Sequence, residues 1–233
     1  MFFRKRRADP EADPARLAAV GAAVRSRLLE DPRAQPLGGH RADLFKVPGF
    51  ASAQECRALI ALIEQDATPS RLYNDSGYGA GVRTSSTHYF GDHALALQIG
   101  ERIDALLGMA REQAEPMQGQ RYRQGEEYRH HADYFRTERD HWQREKQRGG
   151  QRTWTAMLYL NAVEEGGATD FPRLGLAVDP EAGMLLAWNN TDRSGRPNPL
   201  TFHAGSPVGA GTKYVITQWY RLGCWATLSG LQI

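Results

Sequence analysis

The chain has 233 residues, with 29 Lys and Arg against 27 Asp and Glu and a formal net charge of +2. That length can bury one sizeable apolar core, and so even a charge balance excludes the strongly basic composition of a dedicated nucleic-acid binder. No stretch approaches the roughly 20 apolar residues of a membrane span, and no apolar segment follows the basic start MFFRKRRADP. Cys56 and Cys224 are too few for a disulfide framework and are expected as free buried thiols. A cytoplasmic, enzyme-like domain without membrane or nucleic-acid partners is expected.

Residues 1 to 13 read as a loose charged tail whose run Arg4, Lys5, Arg6, Arg7 is solvated. Leu17, Val20, Val24 and Leu28 recur at helical spacing and predict a helix from Pro14 to Leu29. The Pro and Gly punctuation from Pro32 to Gly39 follows, so we set an N-terminal extension at 1–45 and the main domain at 46–233. Ser52 and Glu55 form a capping-box pattern ahead of an apolar run, predicting a second helix over 53–66. Residues 67–86 have no sustained period and read as a long lid-like loop. Asp92 is the expected cap of a third helix that runs through Leu107 and stops at Gly108. After Glu115 the pattern changes to short strands near 117–123, 127–134, 153–161, 175–178, 183–188, 199–203 and 213–222. The result is an α+β, mainly β chain in which N-terminal helices brace a barrel or jelly roll.

In YRHHADYF, His131 and Asp133 are two apart on an expected strand, so both side chains leave the same face. Two imidazoles and one carboxylate on one face of an octahedron leave three positions open, the arrangement a ferrous oxygenase needs for a bidentate co-substrate and O2. The candidate for the third ligand is His203, 70 residues after Asp133 at the end of another expected strand. His130 faces the other way, and His40, His88, His93 and His141 have no partner at metal spacing. In KYVITQWYRL, alternation puts Lys213, Val215, Thr217 and Trp219 on one face. A lysine on an apolar inner face calls for an anion, and the distal carboxylate of 2-oxoglutarate would meet it, with Tyr159 on the facing strand donating a second hydrogen bond.

The segments VRTSS (82–86), RYRQGEEYRHHADYF (121–135), GGQRTWTAMLYLN (149–161), EEGGATDFP (164–172) and HAGSPVGAGTKYVITQWYR (203–221) resemble, in this order, the prolyl 4-hydroxylase family of 2-oxoglutarate- and iron-dependent dioxygenases. The resemblance runs from about Val47 to Leu222. It implies a double-stranded β-helix, that is a cupin-like jelly roll, and iron ligation by His131, Asp133 and His203. It implies that Lys213 and Tyr159 hold the far end of 2-oxoglutarate, that Tyr122 lies close to metal and co-substrate, and that Arg152 and Trp219 lie beside the target residue. Fe(II), 2-oxoglutarate and O2 follow as requirements, with ascorbate as reductant. Asp133 occupies the position that is empty in related halogenases, so hydroxylation is the implied outcome. A prolyl residue in a peptide or protein is the implied substrate; a free amino acid or small metabolite, or a non-catalytic binding module, are the alternatives. The insert from Arg136 to Gly150 reads as a solvated loop, part of a lid with residues 67–86, whose basic residues could alternatively read an acidic substrate segment.

Overall fold

The computed structural model describes residues 13–70 and 82–225; the Arg4–Arg7 run and the 71–81 portion of the expected lid lie outside the described residues. In chain order the elements are α1 (Pro14–Glu30), β1 (Gln35–Pro36), β2 (Leu44–Val47), α2 (Ala53–Asp66), β3 (Thr68–Pro69), β4 (Ser86–Tyr89) and α3 (Ala94–Leu107). Then follow β5 (Gln118–Tyr122), β6 (Tyr128–His131), α4 (Trp142–Gln147), β7 (Arg152–Tyr159), β8 (Glu165–Gly166), β9 (Thr169–Phe171) and β10 (Leu176–Val178). The chain closes with β11 (Leu185–Asn189), β12 (His203–Gly205), β13 (Val208–Ala210) and β14 (Lys213–Arg221).

An eight-stranded sheet runs β1-β2-β11-β7-β14-β5-β4-β3, a four-stranded sheet runs β10-β9-β12-β6, and β13 pairs with β8. Every pairing is antiparallel, as a jelly roll requires. Alternation divides the long strands between two cores. Trp154, Ala156 and Leu158 of β7, with Ile216 and Tyr220 of β14, pack outward against Val24, Leu28, Leu59, Ile63 and Ile103 of the helices. Met157 and Tyr159 of β7, with Val215 of β14, turn inward to Tyr122, Phe171, Leu186 and Trp188. The first core braces the large sheet; the second lies on its inner face.

The helices form where local chemistry supports them. Ser52 Oγ accepts from the Glu55 backbone N–H at 3.2 Å, while Glu55 Oε2 accepts from the Ser52 N–H at 2.8 Å, so the capping box fixes the start of α2. Gly119 on β5 lets α2 lie close, since a Cβ there would stand 2.6 Å from Cγ1 of Ile63. Helix α3 stops at Gly108, which is left-handed at φ 66. Its N-cap is His93 rather than Asp92, because Asp92 belongs to the turn opened by Gly91 and stands one residue too early. The chosen boundary at residue 45 falls inside β2, and α1 contributes Val24 and Leu28 to the same apolar cluster as the barrel.

Several expected elements differ. Strand β6 ends at His131, leaving Asp133 in the following bend. The 199–203 segment is a 3-10 turn over Pro199–Thr201, held by Asn198 Oδ1 accepting from the Leu200 N–H, and His203 opens β12 instead of ending a strand. The expected loop at 67–86 contains the starts of paired strands β3 and β4. The 136–150 insert is not a solvated loop: it carries α4, whose Trp142 and Glu145 are each 1% exposed. Cys56 is buried as expected, but Cys224 is exposed.

Candidate metal centre

His131 and His203 are register partners across the β6–β12 ladder, which places two imidazoles side by side on the inner face of the smaller sheet. Their ring centroids are 4.3 Å apart. The chain turns after His131 so that Asp133 enters the same cavity, with Oδ1 3.7 Å from His131 Nε2 and Oδ2 3.9 Å from His203 Nε2. One donor atom from each residue falls within 4.8 Å of the others, and all three residues are buried. Ligands about 2.1 Å from an octahedral ion stand about 3 Å apart, so small side-chain rotations close this set around one ion.

The protein aims these donors itself. His131 Nδ1 lies 2.8 Å from the Arg129 carbonyl and His203 Nδ1 lies 2.9 Å from the Thr201 carbonyl. Donation by each Nδ1–H leaves both Nε2 lone pairs turned to the cavity. Burial and the neighbouring His203 pull His131 down to about 3, so its ring is neutral and able to ligate. Burial works against the Asp133 carboxylate, yet His203, His131, Arg152 and the Thr155 hydroxyl outweigh it and hold Asp133 below the usual range. Thr155 donates to Asp133 Oδ2 at 2.7 Å and accepts from Asn190 Nδ2 at 2.9 Å. Tyr128 stacks on His131 at 3.6 Å, and Trp188 meets His203 edge-on at 4.8 Å. Two imidazoles and an ionised carboxylate form a donor set suited to a ferrous ion.

Lys213 is 2% exposed, and burial pulls it down to about 7. Among the described residues no carboxylate reaches it; its Nζ lies 5.5 Å from the ring centroids of both Tyr122 and Tyr159. A buried amine without a carboxylate partner suits an anion. The Tyr159 hydroxyl, expected to assist directly, donates to Thr169 Oγ1 at 2.6 Å and lies 3.3 Å from the Val178 carbonyl. Arg152 lies beside the triad with Nη1 4.0 Å from Asp133 Oδ1, and its guanidinium covers the Trp219 ring at 4.3 Å. Its other edge is bound to Glu115, at 2.6 and 2.7 Å, and this buried partner keeps Arg152 firmly protonated against the effect of burial. Trp219 Nε1 is buried without a partner.

The structure thus brings His131, Asp133, His203, Arg152 and Trp219 together and sets Lys213, between Tyr122 and Tyr159, beside Gly205 of the strand that His203 opens, with Nζ 3.9 Å from where a Cβ would stand; His130 lies outside, paired with Asp170. Sequence reading missed Thr155, Trp188 and Glu115. The first was accessible from alternation, since Thr155 shares the inner face of β7 with Tyr159; Glu115 precedes β5 without a periodic context.

Comparison with known proteins agrees with this geometry. The profile of the 2OG-Fe(II) oxygenase superfamily matches residues 117–221. Prolyl 4-hydroxylase 2 of Arabidopsis thaliana is 31% identical over 204 residues, covering 76% of this chain and 67% of that protein. Among solved structures, the viral collagen prolyl hydroxylase of Paramecium Bursaria Chlorella virus-1, in its 2OG complex, is 30% identical with a TM-score of 0.60, covering 76% of this chain and 94% of that one. The Trichoplax adhaerens prolyl hydroxylase, in complex with a hypoxia inducible factor peptide fragment, is 18% identical with a TM-score of 0.59 over 89% of this chain and 91% of that one, and shares the fold.

Proposed function

This chain belongs to the prolyl 4-hydroxylase family of 2-oxoglutarate- and Fe(II)-dependent oxygenases, and on that premise we propose that it hydroxylates a prolyl residue within a peptide or protein. One observation carries the reading: two imidazoles and a carboxylate converge, buried, and a buried lysine with no carboxylate partner among the described residues lies beside them, its Nζ 3.9 Å from where a Cβ of Gly205, on the strand that His203 opens, would stand. In this proposal His131, Asp133 and His203 hold Fe(II). With 2-oxoglutarate and O2 bound, the iron supplies oxidative decarboxylation of the co-substrate to succinate and CO2, coupled to insertion of one oxygen atom into a substrate C–H bond. Ascorbate serves as the reductant that keeps the iron ferrous.

The chain's own residues bind, orient and exclude water. Lys213 takes the distal carboxylate, which restores its full charge by ion pairing. Tyr159 supports this contact through Thr169, because donating to Thr169 Oγ1 leaves the threonine's own proton for the carboxylate. Tyr122 closes the wall beside Lys213. Arg152 and Trp219 face the target residue, and the buried, unpartnered Trp219 N–H suits a substrate carbonyl. Two unpaired cysteines suit the cytoplasm, where we place the enzyme.

The test combines the protein with Fe(II), ascorbate, 2-oxoglutarate and panels of proline-containing peptides and free amino acids, scoring a mass gain of one oxygen and release of succinate. Gain on peptides is expected. Gain on free amino acids alone moves the substrate to a small metabolite, and no succinate under any condition sinks the proposal. His131→Ala and Asp133→Ala are each expected to abolish 2-oxoglutarate turnover; parental succinate release by the Asp133 variant refutes the ligand assignment.

A further inference from the structure

The Glu115 carboxylate lies between two guanidinium groups. Its Oε1 accepts from Arg152 Nε at 2.6 Å and from Arg221 Nε at 2.5 Å, while Oε2 accepts from Arg152 Nη2 at 2.7 Å. Arg221 turns its other nitrogens to the 136–150 insert: Nη2 donates to Glu145 Oε2 and Nη1 to the Gly150 carbonyl, both at 2.7 Å. Glu145 also has Arg144 Nε at 3.4 Å, on a side chain 39% exposed. Glu115, Glu145 and Arg221 are buried, so none of these charges has water to fall back on. Charge therefore alternates along one buried line, Glu145, Arg221, Glu115, Arg152, and ends 4.0 Å from Asp133 Oδ1.

We infer that Glu145 and Arg221 are positioning residues that hold Arg152 off the metal-binding carboxylate of Asp133, which makes α4 a working part of the site. The inference rests on the reading of the triad as a metal site. Two guanidiniums share Glu115 Oε1, and they can do so only while Arg221 has a second carboxylate for its far edge. With Glu145 neutral, Arg221 has Glu115 as its one charged partner and draws it away from Arg152. Arg152 stays buried and charged, and the nearest remaining carboxylate is Asp133. A shift of about 1 Å brings Nη1 into a charge-assisted hydrogen bond with Oδ1, an atom the ion needs. Both guanidiniums lie over the Phe135 ring, at 4.9 and 4.5 Å, so the two share one packing surface.

The test measures Mn(II) binding to the full chain, reading free aqueous Mn(II) by its electron paramagnetic resonance signal, with no turnover involved. Glu145→Gln is expected to bind Mn(II) about tenfold more weakly, the lower end of what loss of an outer partner of a metal site costs. The double variant E145Q/R221M leaves Glu115 to Arg152 alone and is expected to recover parental affinity, which simple loss of packing would not do. Glu145→Asp, with its carboxylate one methylene short of Arg221, should weaken binding in the same direction and serves if the Gln variant does not fold. Parental affinity in the folded Glu145 variants, or a double variant no better than Glu145→Gln, overturns the inference. If the parent chain binds no Mn(II), the metal reading itself falls, a result distinct from either.

Discussion

Lys213 offers the sharpest separation between a residue kept for folding and one kept for a ligand. Burial lowers it from 10.5 to about 7. Between those values the unfolded chain binds more protons than the folded one, so the lysine destabilises the ligand-free fold and the penalty shrinks as pH rises. At about 1.36 kcal/mol per unit, the cost is about 5 kcal/mol below pH 6, about 3 at pH 8 and about 1 near pH 9.5. Lys213→Met keeps the chain's volume and removes the charge. The variant is therefore expected to be more stable than the parent without co-substrate, in urea denaturation at pH 6, 8 and 9.5, with the gap closing in that order. With Mn(II) present throughout, adding 2-oxoglutarate at about 100 times its Kd should raise the parent by about a further 2.7 kcal/mol, and the variant by much less. A variant less stable than the parent at pH 6, or a gap that does not narrow by pH 9.5, means that Lys213 has an anionic partner within the folded chain, and the argument for a co-substrate carboxylate fails.

Thr155→Val removes the hydroxyl that orients Asp133 and strands the Asn190 amide behind it; Mn(II) affinity is expected to fall about tenfold, and unchanged affinity shows that Asp133 is oriented by other contacts. Gly119→Ala puts a methyl 2.6 Å from Ile63 Cγ1 and 2.8 Å from Phe90 Cζ, so it is expected to cost about 1–3 kcal/mol in denaturant unfolding. Combined with Ile63→Ala, the loss should be less than the sum of the two single losses, and strict additivity refutes the close approach of α2 to β5.

What the sequence discloses here is whatever depends on near neighbours. The pair Ser52 and Glu55 sets the start of α2 because both halves of the cap lie within one turn. Alternation on β14 places Lys213 inward with Val215, since a period of two needs no knowledge of the partner strand. His131 and Asp133 are two positions apart, and they still converge although the strand stops between them. The hidden parts depend on distant partners. Glu145 sits in RTERDHWQREKQRGG, a segment as charged as any solvated loop, and its burial is explained by Arg221, 76 positions away. The start of β12 at His203 follows from the Asn198-capped turn, a local device that an apolar pattern over 199–203 obscures.

Both imidazoles of the triad are tethered by backbone carbonyls two residues before them, Arg129 on the same strand for one and Thr201 in the preceding turn for the other. An arriving ion therefore meets rings whose tautomer and tilt are already chosen, and loading asks the chain for little reorganisation. Amide exchange in the strands behind the rings should look much the same before and after the metal arrives.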